Sequence, residues 1–108
     1  MTQISPATVY VALGSNLGDR SLALSRARNW LSKIALDDRL EESGIYETLP
    51  VGPGLQECHL NQVVKFETLL SAEQMLAFFK EVENWLGRRS RPRLHPREID
   101  IDLLFYGE

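Results

Sequence analysis

The spacing of apolar positions switches along the chain between strand-like and helix-like periods. TVYVALG (8–14) reads as a short buried strand. GSNLGD (14–19) follows as a turn, with Asp19 placed to cap the next helix. From Arg20 to Ala35, Ala23, Ala27, Trp30, Leu31 and Ile34 fall on one helical face. Asp37 and Asp38 break that pattern, and LEESGIYET (40–48) predicts a second strand. LPVGPG (49–54) is loop by its prolines and glycines. HLNQVVKFET (59–68) predicts a third strand, with Leu60, Val64 and Phe66 on one face and His59, Asn61 and Val63 on the other.

The second helix has the clearest boundaries. Ser71 and Gln74 have capping-box spacing, and Leu70 with Met75 can form a hydrophobic staple. Met75, Phe79, Val82 and Leu86 make its apolar stripe, and Gly87 is the stop signal. A last strand spans 98–106. The order βαββαβ predicts an α+β, ferredoxin-like fold, an antiparallel sheet with two helices on one face. Residues 1–108 read as one domain without internal repeat or linker.

The last strand, within REIDIDLLFYG (97–107), contradicts itself. Ile99, Ile101, Leu103, Leu104 and Phe105 look buried, yet Asp100 and Asp102 sit among them. Alternation puts both carboxylates on one face, about 6–7 Å apart. Charge that protects an edge strand is one explanation, although it predicts lysine as readily as a pair of aspartates. The other is a metal site. Mg²⁺ takes one or two protein carboxylates together with phosphate oxygens, and two carboxylates can hold two ions about 3.5–4 Å apart.

Composition is that of an ordinary globular chain, with 44% hydrophobic and 25% charged residues. No apolar run approaches a membrane span, and the N-terminus lacks the pattern of a signal peptide. The single cysteine, Cys58, fits a reducing cytoplasm and reads as incidental, since His59 beside it points to the opposite face. A net charge of −3 argues against general nucleic-acid binding. The charge is not evenly spread, however. RRSRPRLHPR (88–97) holds five of the twelve basic residues. A cationic loop on an acidic protein suggests a small polyanion bound at one place. It could also be a solvated basic loop. Arginines for phosphate beside carboxylates for metal are the two halves of a nucleotide–Mg²⁺ site, and the joint reading is preferred.

The other motifs are weaker. GSNLGD is neither a Walker A loop nor GxGxxG, and reads as a tight strand-to-helix connection. Trp30, Trp85, Phe78 and Phe79 read as packing. His59 and Asn61, at the start of the third strand, suit a flat heterocycle with hydrogen-bonding edges, although polar surface residues explain them as well.

VALGSNLGDR (11–20), IYETLPVG (45–52), HLNQVV (59–64), EVENWLGR (81–88) and PREIDIDLLFYG (96–107) together resemble the hydroxymethyl-dihydropterin pyrophosphokinase family of folate biosynthesis, over nearly the whole chain. The resemblance implies transfer of a pyrophosphoryl group from ATP to the hydroxymethyl oxygen of 6-hydroxymethyl-7,8-dihydropterin, with release of AMP. It implies that Asp100 and Asp102 hold two Mg²⁺ ions and that Arg88, Arg93 and Arg97 face the phosphates, Arg88 and Arg97 catalytically. It puts Glu83 on the nucleotide side. Thr48, Pro50, Val51, Gly52 and Asn61 fall to the pterin pocket, with His59 at a ring-stacking position. The expected partners are these two small molecules, without nucleic acid or membrane, in a cytoplasmic monomer.

Three positions depart from the family pattern. His59 stands where Tyr or Phe is usual, Leu94 where a large aromatic is common, and Ser90 where an arginine is common. Family members also continue beyond the last strand. The resemblance places a second pterin-stacking aromatic and further ATP contacts there, so this chain is expected to bind Mg²⁺–ATP, hold the pterin feebly, and turn over slowly or not at all. Two alternatives belong to other classes: a weak or inactive pterin- or nucleotide-binding protein, and a ferredoxin-like RNA-binding module. The last needs exposed aromatics on central strands, and the third strand offers only Phe66, on the Leu60 face.

Overall fold

A computed structural model describes residues 2–107. The elements are β1 (Thr2–Ser15), α1 (Arg20–Ser32), a 3₁₀ turn (Leu36–Asp38), β2 (Glu41–Glu42), β3 (Tyr46–Thr48), β4 (His59–Leu70), α2 (Ala72–Trp85) and β5 (Asp100–Tyr106). β2 and β3 both pair with β4, β4 with β1, and β1 with β5, all antiparallel. With β2 and β3 taken as one interrupted strand, this is the expected ferredoxin-like βαββαβ plan.

Val9, Val11 and Leu13 of β1 and Leu60, Val64 and Phe66 of β4 pack with Leu24, Ala27 and Leu31 of α1 and Met75, Phe79 and Val82 of α2. One apolar cluster joins the sheet to both helices, so the helices share a face. Both helix starts are as the sequence indicates. The Asp19 carboxylate accepts from Leu22 N–H, and Ser71 and Gln74 form a reciprocal capping box, contacts worth about 1 kcal/mol each. Leu24, absent from the predicted stripe, is fully buried.

The second strand is not continuous over 40–48. Register runs from Glu42↔Val64 to Tyr46↔Asn61, four steps on one strand against three on the other. The extra residue is a bulge. Ser43 fills it: its N–H donates to Val63 O and its Oγ accepts from Val63 N–H. The last strand begins at Asp100 rather than 98 and lies at the sheet edge. Leu104 is an extra residue between Leu103↔Val11 and Phe105↔Tyr10. Consequently Ile99 and Ile101 are buried as expected, but Leu104 and Phe105 are exposed, Phe105 meeting Tyr10 edge to face.

On the sheet face away from the helices, Ala12 pairs with Asp102 and Gly14 with Asp100, and on its other side Gly14 pairs with Asn61. Small residues at 12 and 14 leave this end of the central strand open as a floor. Among the described residues, no helix is long and apolar enough to cross a membrane.

Candidate active site

A cleft of about 490 Å³ lies over that floor. Its lining includes Thr48, Val51, His59 and Asn61 from one side and Arg93, Arg97, Asp100 and Asp102 from the other. These are eight of the residues singled out in the sequence, drawn from two separate segments, 48–61 and 93–102.

The two aspartates share a face of β5 at the cleft. Asp100 Oδ1 accepts from Arg97 Nη1 at 3.1 Å and lies 3.4 Å from Arg88 Nη2. Among the described residues Asp102 has no such partner, and its carboxyl is pushed above the usual range. Partial desolvation is the first cause and the Asp100 charge the second, against the opposing pull of Arg88 and Arg97. One carboxylate is thus held by arginines while the other carries the cost of a like neighbour. Among the described residues, His, Cys, Asp and Glu side chains do not gather in threes as a ready protein cage for a metal. The donor set fits a hard cation that takes its remaining ligands from phosphate and water.

Glu83 is placed behind this face rather than in the cleft, only 8% exposed. One carboxylate oxygen pairs with Arg88 Nη1, and the other accepts from Ile101 N–H at 2.8 Å. Glu83 therefore ties the end of α2 to the strand between the two aspartates and aims Arg88 at Asp100. It borders a shallow hollow with Lys80, Asn84, Arg88, Arg89 and Ser90. Arg91, counted with the cationic loop, is withdrawn from it, because its guanidinium forks onto Glu98 at 2.6 and 2.8 Å.

At the opposite wall, β3 pairs Thr48 with His59, and Asn61 Nδ2 donates to Thr48 Oγ1 at 2.8 Å. Arg20 Nη1 donates to Cys58 O at 2.7 Å and pairs with Glu47, fixing both ends of the intervening loop. Pro50 and Gly52 lie in that loop outside the cleft lining. Gly52 has φ +145°, and a Cβ there would sit 2.0 Å from Leu94 O, so only glycine allows the two loops to touch. Leu94 and His95 also line the cleft, Leu94 with φ 68°. Sequence reasoning missed both as site residues, along with Ala12, Gly14, Asn16 and Gln56. The only signal for Asn16 was its place inside GSNLGD.

Fold and cleft together define a ferredoxin-like protein whose open sheet end sets paired carboxylates beside arginines. The profile of the family described as 7,8-dihydro-6-hydroxymethylpterin-pyrophosphokinase (HPPK) matches residues 10–107, and the chain belongs to that family. It is 40% identical over 97 residues to the 2-amino-4-hydroxy-6-hydroxymethyldihydropteridine pyrophosphokinase of Bacillus subtilis, covering 90% of this chain and 58% of that protein. Identity to the Aquifex aeolicus protein of the same name is 40% over 100 residues, covering 93% and 61%. The bifunctional protein FolKE of Lactococcus lactis subsp. cremoris is 40% identical over 100 residues, which cover 93% of this chain and 29% of that one. The chain thus spans at most about three-fifths of the length of these relatives.

Proposed function

We propose that this cleft transfers a pyrophosphoryl group from ATP to the hydroxymethyl oxygen of 6-hydroxymethyl-7,8-dihydropterin. The observation that carries the reading is the single cleft in which Asp100, Asp102 and Arg97 face Thr48, His59 and Asn61, in a chain of this family. In the step, the hydroxymethyl oxygen bonds to the β-phosphorus. The bond from that phosphorus to the α,β-bridging oxygen breaks, AMP leaves with the electron pair, and the hydroxyl proton passes to solvent.

Asp100 and Asp102 would hold Mg²⁺, two ions in this reading, which supplies charge neutralisation to the triphosphate and relieves the repulsion between the carboxylates. Arg97 and Arg88 then exchange Asp100 for phosphate oxygens and offset charge developing on the transferred group. Arg93, which has no ion-pair partner among the described residues, adds a further phosphate contact. Glu83 supports the nucleotide side by holding Arg88. Asn61 and Thr48 read the polar edge of the heterocycle, and His59 stacks on its face. Val51 supplies apolar wall, with Pro50 and Gly52 shaping the loop behind it. In this reading the described residues form one unit of a protein that works as a monomer, in the cytoplasm.

Incubation with ATP, Mg²⁺ and the hydroxymethyl-dihydropterin, followed by nucleotide chromatography, tests the reading. Whatever AMP forms, slow as it is expected to be from this chain, should depend on the pterin. Release of ADP, or AMP formation indifferent to the pterin, would refute it.

A further inference from the structure

We propose that Asn16 and Gln56 are positioning residues that clasp the arginine-bearing loop to both walls of the cleft. The role in turnover rests on the transfer reading above; the clasp itself does not.

Asn16 is 1% exposed, at the exit from β1. Its Oδ1 accepts from Arg97 N–H at 2.8 Å, and its own N–H donates to Arg97 O at 3.1 Å. Its Nδ2 donates to Gln56 Oε1 at 3.1 Å and reaches Glu57 O at 3.4 Å. Gln56 Nε2 in turn donates to Leu94 O at 3.0 Å and to Pro53 O at 2.9 Å. Through the two side-chain amides the donors run one way: Arg97 N–H to Asn16 Oδ1, Asn16 Nδ2 to Gln56 Oε1, Gln56 Nε2 to Leu94 O. The relay begins and ends in the same loop, three residues apart, and on the way passes through the end of β1 and the opposite wall.

Neither amide can turn over without loss. Gln56 Nε2 faces two carbonyls, so Oε1 must face Asn16, and Asn16 Oδ1 is fixed by a backbone N–H. Chains of this kind polarise one another. Packing alone does not require such an arrangement, because an apolar pair could fill the same space. What the relay adds is direction: it holds Arg97 by its backbone and Leu94 in its left-handed turn, so the two walls keep one spacing.

Two isosteric variants cut the relay at different points. Gln56→Glu keeps the acceptor for Asn16 but has no donor for Leu94 O. Asn16→Asp keeps the acceptor for Arg97 N–H but has no donor for Gln56. Both are expected to speed amide exchange at His95 about ten-fold while exchange in α1 and α2 stays parental, and to raise KM for the heterocycle about ten-fold with kcat changed less than about three-fold. Asn16→Ala releases Arg97 as well, so exchange at the Arg97 amide rises and kcat falls. Parental exchange at His95 in both isosteric variants overturns the clasp, whatever the activity. Release of ADP, or of AMP without dependence on the heterocycle, sinks the transfer reading and leaves the exchange measurements to decide the clasp. If Asn16→Ala does not fold, the two isosteric variants decide it.

Discussion

At one end of the cleft, Asp100 and Asp102 ride on a strand whose Ile101 N–H is gripped by Glu83, and Glu83 also aims Arg88 at Asp100. At the other end, the wall is loop: residues 49–58 and 93–96, held by side-chain amides and by a glycine against Leu94 O. The carboxylate end is set by regular backbone, with its charges two positions apart on one strand face. The loop end is set by contacts between residues far apart in sequence. Charged chemistry needs fixed distances between like charges and counter-charges, and a strand provides them. A flat heterocycle needs a wall of adjustable shape, which loops provide.

The comparison is tested most severely at the aspartates. Asp100→Ala and Asp102→Ala are each expected to lower transfer by about 100-fold or more and to abolish the nucleotide-dependent part of Mg²⁺ binding measured calorimetrically. Unchanged binding in both would place the metal site elsewhere. Their effects on stability should have opposite signs. The Asp102 pKa is raised, so its charged form costs stability as pH rises through that pKa, and the cost is absent at lower pH. Asp102→Asn should therefore raise Tm at neutral pH, while Asp100→Asn, which takes the carboxylate from Arg97 and leaves Arg88 only Glu83, should lower it. Next in size is Arg97. Replacement by Ala should cost about 10²-fold in kcat with a smaller loss of ATP affinity, and Lys should restore only part, since it lacks the planar fork. Equal losses in rate and affinity would reduce Arg97 to a binding residue.

What was legible in the sequence follows the same division. The capping box at Ser71, the buried stripe of α2 and the shared face of Asp100 and Asp102 all depend on spacings of two to four residues, which local rules capture. Ser43 was not read as a bulge: Gly44 beside it marks a break in the strand, but the extra residue is located only against Val63. Leu104 and Phe105 looked buried, yet lie on an edge strand past a second bulge. The eight cleft residues were named, but not the amides that assemble them: Asn16 lies 40 positions from Gln56 and 81 from Arg97. Arg91 was counted with the cationic loop because no local rule links it to Glu98, seven residues on.

The loop end should answer more gently. Asn61→Ala removes one hydrogen bond to Thr48 and leaves the strand intact. It is expected to raise KM for the heterocycle about ten-fold, with ATP affinity and Tm nearly parental. A loss of ATP affinity as large as the loss of heterocycle affinity would mean that the two ends are not separable.

The smallest effect is expected from Arg91. Its fork onto Glu98 holds that carboxyl well below its ordinary 4.5, at about 2, with help from the backbone N–H of Arg89. A depressed carboxylate stabilises the fold above its ordinary pKa, and the contribution is lost as pH falls from about 4.5 through about 2. The pair is partly solvated, so Arg91→Ala should cost only about 0.5–1 kcal/mol at pH 7 in denaturant unfolding, and less in high salt. The gap between variant and parent should close as pH falls toward 2. Because Arg91 spends its guanidinium on Glu98, nucleotide affinity should stay within about two-fold. A ten-fold loss of affinity in Arg91→Ala, with stability unchanged, would show that this arginine leaves Glu98 for the cleft and that the carboxylate end is less fixed than its strand suggests.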